Sequence, residues 1–157
     1  MVLVPACVSM VLNHAAIAAR IPHHGNMCLL DAVLDWSETA ISCRAISHTD
    51  PSNPLRAAGR LGAANGIEYA AQAMAVHGSL LSQASDKPRQ GYLTSVRSVQ
   101  LHISRLDNLL GEISIKAERL AGDSGHILYQ FSLSHAGRYL LEGRAAVILD
   151  AAAVNPK

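Results

Sequence analysis

Residues 65–75 read Asn65-Gly66-Ile67-Glu68-Tyr69-Ala70-Ala71-Gln72-Ala73-Met74-Ala75. The apolar character continues to Leu81, and Glu68 is the one charged side chain between Gly66 and Leu81 at neutral pH. On a helix, the polar side chains fall within about 60° of one another, on a narrow stripe; they are Glu68, Gln72, Ser79 and Gln83. A helix that is apolar on nearly every other side is a buried one. The stretch therefore predicts one long central helix, ending near Gln83, that the rest of the chain must cover.

Glu68 has two interpretations within this helix. A buried carboxylate must be paired, hydrogen-bonded or kept neutral, because desolvation penalises its charged form. Such a group is suited to act as a general acid. Asn65 is also a good N-cap, and a glutamate at the third helical position can reach back to the cap in a capping box. A structural role for Glu68 is therefore the alternative.

The bulk composition indicates a single globular domain that spans residues 1–157. Of the 157 residues, 50% are hydrophobic and 16% are charged, which is enough apolar material for one core. A net charge of +1, no basic cluster and 4% aromatic residues argue against a nucleic-acid partner. Three cysteines without a CxxC pair indicate reduced thiols and a cytoplasmic protein. No apolar run approaches about 18 residues, so the sequence predicts no membrane span.

Outside the central helix, the chain shows the patterns of one further helix and six strands. Residues 1–20 are predicted to be a helical segment, with the helix itself at 7–20, and residues 151–157 a flexible tail. Alternating apolar residues predict two strands before the central helix and four after it, at 27–36, 40–48, 99–104, 113–118, 127–134 and 139–149. Turn-forming residues separate the strands, at 37–39, 107–108, 122–125 and 135–138.

This order of elements belongs to the α+β class. An antiparallel sheet that accompanies a single, mostly apolar helix must curl around that helix to cover it. The predicted architecture is therefore the hotdog fold, in which a sheet wraps one long buried helix. An exposed sheet edge further predicts a dimer, in which two edge strands pair to form one continuous sheet.

Two local motifs resemble those of a known branch of hotdog proteins. Residues 22–31 resemble a "PHxGxMxLLD" segment, and residues 66–73 resemble a "GIEYxAQA" helix start. The pair, in this order, is similar to the 3-hydroxyacyl-(acyl-carrier-protein) dehydratase-like proteins of aryl polyene and xanthomonadin pigment clusters. The resemblance covers residues 21–83 by motif and the rest of the chain by strand pattern.

The resemblance implies the removal of water from a 3-hydroxyacyl thioester to give the trans-2-enoyl thioester, in biosynthesis of the fatty-acid or polyene type. The acyl group would be carried on the phosphopantetheine of an acyl carrier protein or on coenzyme A, with no other cofactor. His23 would abstract the α-proton, and Glu68, held protonated by burial, would protonate the leaving hydroxyl. Gln72 would orient the Glu68 carboxyl, and free backbone N–H groups near Gly66 would support the thioester oxygen.

The histidines leave the identity of the base open. Fatty-acid dehydratases carry their catalytic histidine in an "HFPG" turn shortly before the helix, and this chain has no such turn. The base is therefore His23, in the matched motif, or His48, twenty positions before Glu68, or it is absent. His24 is a further candidate for substrate contact, whereas His77, on the far side of the helix, is expected to be a core histidine. No histidine or cysteine spacing predicts a metal site.

Three functions stay open at this point. They are a dehydratase, an acyl thioesterase in which Glu68 activates water, and a non-catalytic partner subunit in a hotdog dehydratase heterodimer. The missing "HFPG" turn keeps the third function in play, so both a homodimer and a heterodimer remain possible. Five cations are candidates to test for contact with the phosphopantetheine and an acidic helix of a carrier protein, although for each one alone a solvated surface charge is the favoured interpretation. They are Arg56, Arg60, Lys87, Arg89 and Arg97.

Overall fold

The computed structural model describes residues 10–82, 91–123 and 125–149. The elements are, in chain order, β1 (Leu12–Asn13), α1 (His14–Ala18), β2 (Ala32–Trp36), β3 (Ala40–Ala45), α2 (Gly66–Leu81), β4 (Gly91–Leu101), β5 (Ile113–Gly122), β6 (His126–His135) and β7 (Arg138–Leu149). Short 3-10 turns lie at Gly25–Met27, Ser47–Thr49 and Ala63–Asn65. The predicted tail at 151–157 lies outside the described residues.

The strands form one antiparallel sheet in the order β1-β2-β3-β5-β6-β7-β4. Alternate residues of β3, β5 and β6 are buried, so these strands turn one face toward a common core. The helix α2 packs against that face, in contact with β3, β4, β5 and β6. The predicted hotdog fold is confirmed. Among the described helices, none has both the length and the apolar character needed to cross a lipid bilayer.

The first residue of α2 lies directly against the sheet. A Cβ atom added at Gly66 would lie 2.6 Å from Leu141 Cδ2 and 3.1 Å from Leu133 Cδ2. Both leucine side chains are fully buried, in β7 and β6 respectively. Glycine therefore lets the first residue of α2 pack against these two leucine side chains without the steric clash that a Cβ atom would cause.

Within the predicted helical segment at 1–20, the helix that the structure describes is shorter than predicted, and residues 1–9 lie outside the described part. Leu12 and Asn13 pair with Val33 and Ala32 as a short strand. The Asn13 side chain then accepts a hydrogen bond from the Ala16 N–H at 2.9 Å, which caps α1. Strand pairing thus delays the helix and leaves it five residues long.

The early strands are shorter than predicted. β2 covers Ala32–Trp36 rather than 27–36, because the backbone near Met27 forms a 3-10 turn and then bonds to α2. β3 ends at Ala45 because a second 3-10 turn follows at Ser47–Thr49. The predicted turn at 135–138 is confirmed, and its two central residues, Ala136 and Gly137, have φ of 50° and 80°, as in a type I′ hairpin.

The strand after the central helix is longer than predicted and forms one edge of the sheet. β4 spans Gly91–Leu101 instead of 99–104, and among the described strands its one neighbour is β7. Its pairing shifts register twice, and Ser98 has a φ of 54° within the second irregularity. These shifts break the apolar alternation from which a strand is predicted. Tyr92 and Leu93 are 38% and 41% exposed at this edge.

Candidate active site

A histidine and a glutamate meet at the first turn of α2. His23 Nε2 lies 3.1 Å from Glu68 Oε1, and the two side chains are 29% and 35% exposed. Both residues belong to the same chain, so this pair forms without a partner subunit. A histidine and a carboxyl group at hydrogen-bond distance can exchange a proton, which is what general acid–base chemistry requires.

Buried residues on both sides hold the segment that carries His23. Ile21 precedes the histidine and is 4% exposed, and Leu29 and Leu30 follow it at 1% and 0%. Between them, Gly25 has a φ of 59°, a left-handed conformation that glycine adopts without strain. The glycine of the sequence motif therefore makes the turn, and the anchored leucines keep the turn beside α2.

Gln72 connects this segment to the helix. Its Oε1 accepts a hydrogen bond from the Leu29 N–H at 2.9 Å, and its Nε2 donates to the Met27 carbonyl at 2.7 Å. Nε2 also lies 3.4 Å from Glu68 Oε1. The side chain is fully buried. It thus pairs with the segment as a neighbouring strand would, and it contacts the carboxyl group that meets His23.

A second group of polar side chains supports the same segment from the other side. The fully buried Tyr69 places its hydroxyl 2.9 Å from Ser47 Oγ and accepts a hydrogen bond from Asn53 Nδ2 at 3.1 Å. Ser47 Oγ in turn donates to the Leu29 carbonyl at 2.7 Å. Burial raises the pKa of Tyr69. The tyrosine therefore stays a neutral hydrogen-bonding group that links α2 to the loop after β3 and to Leu29.

The His23–Glu68 pair lies in the wall of a cavity of about 550 Å³. From Glu68, the cavity follows α2 past Ala71 to Met74 and Ala75. Its opposite wall comes from the start of β4, at 91–93, and from Val147. Most of this surface is apolar, so the cavity suits a hydrocarbon chain with its reactive end beside the pair.

The environment of Glu68 differs from the predicted one. Its side chain is one-third exposed to the cavity instead of fully buried. The capping-box interpretation is wrong, because Asn65 is itself helical and makes no side-chain cap. Its amide donates to the Gly62 carbonyl instead. The N–H of Gly66 is also not free, since it donates to the Ala63 carbonyl.

The other histidines named from the sequence lie apart from the pair. His24 is exposed and does not line the cavity. His48 is fully buried, its Nε2 lies 2.9 Å from the Leu109 carbonyl, and burial lowers its pKa. His77 is a core histidine, as predicted, with Nδ1 2.8 Å from the Tyr129 hydroxyl and Nε2 2.8 Å from the Ser37 carbonyl. Of the two candidate bases, only His23 is at Glu68.

Several contributors to the site were missed in the sequence. Tyr69, Ser47 and Asn53 each look like an ordinary helix or turn residue, and only the fold joins them. The cavity wall at Tyr92 and Leu93 was missed because β4 lacks strand alternation. Within the described part of the chain, no three histidine, cysteine, aspartate or glutamate side chains converge as metal ligands would.

Comparison with known proteins identifies a family. The family model for ApeP-like proteins, described as ApeP dehydratase, matches residues 15–154. No curated protein matches the chain.

Solved structures are similar in fold. The dehydratase heterocomplex ApeI:P from Xenorhabdus doucetiae matches with a TM-score of 0.77 and 21% identity, over 89% of this chain and 97% of that chain. A mutant thioesterase from Pseudomonas aeruginosa has a TM-score of 0.58 and 13% identity, over 77% and 81%. A thioesterase from Haemophilus influenzae has a TM-score of 0.57 and 10% identity, over 85% and 82%. At these identities, the matches show a shared fold.

Proposed function

Since the chain belongs to the ApeP-like dehydratase family, we propose that it converts a 3-hydroxyacyl thioester into the trans-2-enoyl thioester and water. One observation supports this reaction above all. His23 Nε2 lies 3.1 Å from Glu68 Oε1 in the wall of a largely apolar cavity. The family gives the class of reaction, and the pair supplies both the base and the acid that this reaction needs.

The two side chains divide the proton transfers. Neutral His23 takes the proton from C2 of the substrate, and the electron pair of that bond forms the C2–C3 double bond. The C3–O bond breaks as Glu68, when it holds the proton that it exchanges with His23, delivers that proton to the departing hydroxyl, which leaves as water. The proton held by His23 then passes to Glu68 over their 3.1 Å contact. Both groups are thereby restored for the next turnover.

The substrate is an acyl group on a phosphopantetheine arm, borne by an acyl carrier protein or by coenzyme A. The lining of the cavity supports this assignment, since Ala71, Met74 and Val147 offer an apolar path beyond the pair. Gln72 acts as a positioning residue that holds both Glu68 and the segment of His23. A carrier-dependent reaction of this kind belongs in the cytoplasm.

We also propose that the chain works together with a second hotdog subunit. Among the described strands, β4 pairs on one side alone, with β7, and a strand edge of this length normally pairs or is covered. The exposed Tyr92 and Leu93 lie at this edge and also line the cavity. A subunit that pairs with β4 would therefore close the site. The ApeI:P heterocomplex, which is similar in fold, supports a different chain as this subunit.

Mass spectrometry of a carrier protein loaded with a 3-hydroxyacyl group tests the reaction. The purified chain is incubated with the loaded carrier, beside the variants His23→Ala and Glu68→Gln. We expect the acyl carrier to lose the mass of one water with the unmodified chain and with neither variant. His24→Ala is the matched control, because this exposed neighbour of His23 does not line the cavity; it should retain activity.

The other outcomes are equally distinct. Release of free carrier would identify a thioesterase, in which Glu68 activates water for attack on the carbonyl. An unchanged carrier would argue against a catalytic role for the isolated chain, and activity that returns only with a second hotdog subunit would identify a partner function. Activity that survives in both variants would overturn the assignment of His23 and Glu68.

A further inference from the structure

Two arginines face each other at the edge of the sheet. Arg97 in β4 and Arg144 in β7 are directly opposite in the antiparallel pairing. Both side chains are exposed, whereas Gly143 and Ala145, on either side of Arg144, are buried. The two guanidinium groups therefore project from the outer face of the sheet, away from α2. Together with Ser95 they line a shallow depression of about 260 Å³.

This pair has no acidic counterpart in the described part of the chain. Neither guanidinium lies within 4 Å of a carboxylate there. The nearest acid along the same face of β7 is Glu142, which instead lies 3.4 Å from His102 Nε2. Like charges placed directly opposite each other destabilise a strand pair. An arrangement that lowers the stability of the single subunit is expected to have a functional role.

The position of the pair determines what it can contact. β4 is the last of the described strands of the sheet, so a strand added at this edge runs directly beside Arg97. If two copies of the chain paired around a two-fold axis at Val96, Arg97 of one copy would face Ser95 of the other. The two Arg97 side chains would then be diagonal neighbours, about 7–8 Å apart. With both Arg144 side chains, four guanidinium groups would stand on one face, two in each of two adjacent cross-strand rows.

We propose that Arg97 and Arg144 select the partner at this edge: they disfavour a second copy of this chain and favour a hotdog subunit with carboxylates on the outer face of its edge strand. Carboxylates there would meet both guanidinium groups, while self-pairing would bring four together. Selection by repulsion of the wrong partner is a common source of specificity. This inference rests on the two-subunit assembly proposed above, and it adds the chemistry of the partner.

The test uses an acidic copy of the same chain as the partner. The copy combines Arg97→Glu with Arg144→Glu, and it is mixed with the unmodified chain and analysed by native mass spectrometry, which separates the dimers by mass. We expect the square of the mixed-dimer concentration, divided by the product of the two homodimer concentrations, to exceed its statistical value by at least about tenfold. The excess should shrink as salt rises from about 0.05 M to about 0.5 M, since salt screens exposed charges.

A matched control carries the same change of charge away from this edge. Arg60→Glu and Arg138→Glu alter two exposed arginines that do not face β4 in the pairing. Circular dichroism first establishes that every variant is folded. A copy with the control substitutions should mix with the unmodified chain in statistical proportion.

Three results from the mixtures would overturn the inference. They are a statistical proportion of mixed dimers with the acidic copy, an equal excess with the control copy, and no dimer in any mixture. Tight self-association of the unmodified chain that weakens with added salt would do the same, because repulsion predicts the opposite sign. No substrate enters these measurements, so their outcome is separate from that of the dehydration assay.

Discussion

Gln72 donates a hydrogen bond from Nε2 to the carbonyl oxygen of Met27 at 2.7 Å, and the central helix thereby holds the segment that carries His23. The same side chain accepts the Leu29 N–H, so it satisfies both a donor and an acceptor of a backbone that lies outside any strand. A glutamine in a buried helix, four residues after a glutamate, looks from the sequence like a partner of that glutamate. In the structure, its main contacts anchor the segment that carries His23.

Replacing this anchor should cost both stability and activity. Gln72→Leu keeps much of the volume but leaves the Leu29 N–H and the Met27 carbonyl without partners. A buried group left in this way costs about 1–3 kcal/mol, so we expect the free energy of unfolding in urea to fall by that order. The dehydration rate should fall as well, because the segment that carries His23 is no longer held beside α2.

Ser79→Ala is the control for this helix, since Ser79 Oγ donates to the Val76 carbonyl of its own turn and to no other group of the described residues. It should change the free energy of unfolding by no more than about 0.5 kcal/mol. A Gln72→Leu protein with unaltered stability and unaltered rate would contradict the anchoring role.

Gly66→Ala should destabilise the protein through a steric clash. The new methyl group would lie 2.6 Å from Leu141 Cδ2, so the fully buried side chain of Leu141 would have to shift within the core. Overpacking of this kind costs about 1–3 kcal/mol. Thermal and urea unfolding should both show the loss. Gly62→Ala is the matched control, since its nearest neighbour would be 3.7 Å away at an ordinary contact distance. Equal stability of the two variants would refute the packing argument.

Stability should fall as the pH drops below about 6.5, where an unfolded histidine takes up a proton. Burial lowers the pKa of His77 and of His48, so the folded chain binds these protons only at lower pH than the unfolded chain does. Between the unfolded and the folded pKa, each histidine lowers the free energy of unfolding by at most about 1.4 kcal/mol per pH unit.

Urea unfolding at pH 7.5 and at pH 5.5 measures this dependence. His77→Gln should be less stable than the unmodified chain at pH 7.5, because the contacts to Tyr129 and Ser37 change. It should also lose less stability between the two pH values. His24→Gln, at an exposed position, should leave the loss of stability between pH 7.5 and pH 5.5 unchanged. A full pH dependence in His77→Gln would show that other groups control it.

Ala75→Leu should shorten the acyl chain that the site accepts. Ala75 lies seven residues beyond Glu68 on α2, about 10 Å along the helix axis, and it lines the cavity. A larger side chain there leaves the reacting end free but blocks the path beyond it. We expect kcat/KM to fall at least about tenfold for long acyl chains and to hold for short ones.

Ala121→Leu, at an exposed position of β5, is the control for added bulk and should affect neither class of substrate. An Ala75→Leu enzyme with the same loss for short and long chains would indicate a general distortion of the site. In that case, the acyl chain would not follow α2.

Local patterns in the sequence were enough for the architecture. The apolar helix from Gly66 onward and the strands with alternating apolar residues predicted the hotdog fold. Burial of one face of an element places apolar residues at regular intervals, and such intervals can be recognised within a short stretch of sequence. The place of His77 followed from the same helical periodicity. His23 and Glu68 were chosen as a pair by resemblance to a family, since 45 positions separate them and no local pattern joins them.

The remaining features depend on contacts between residues far apart in the chain. β1 pairing shortened α1, register shifts hid most of β4, and Gln72 found its partners in a loop more than forty positions away. Glu68 is one-third exposed because a cavity opens beside its helix, which the composition of the helix cannot indicate. Arg97 and Arg144 meet through strand register alone. The spacing of apolar residues in the sequence indicates which face of a helix or strand is buried. Only the tertiary structure determines which residues that face contacts.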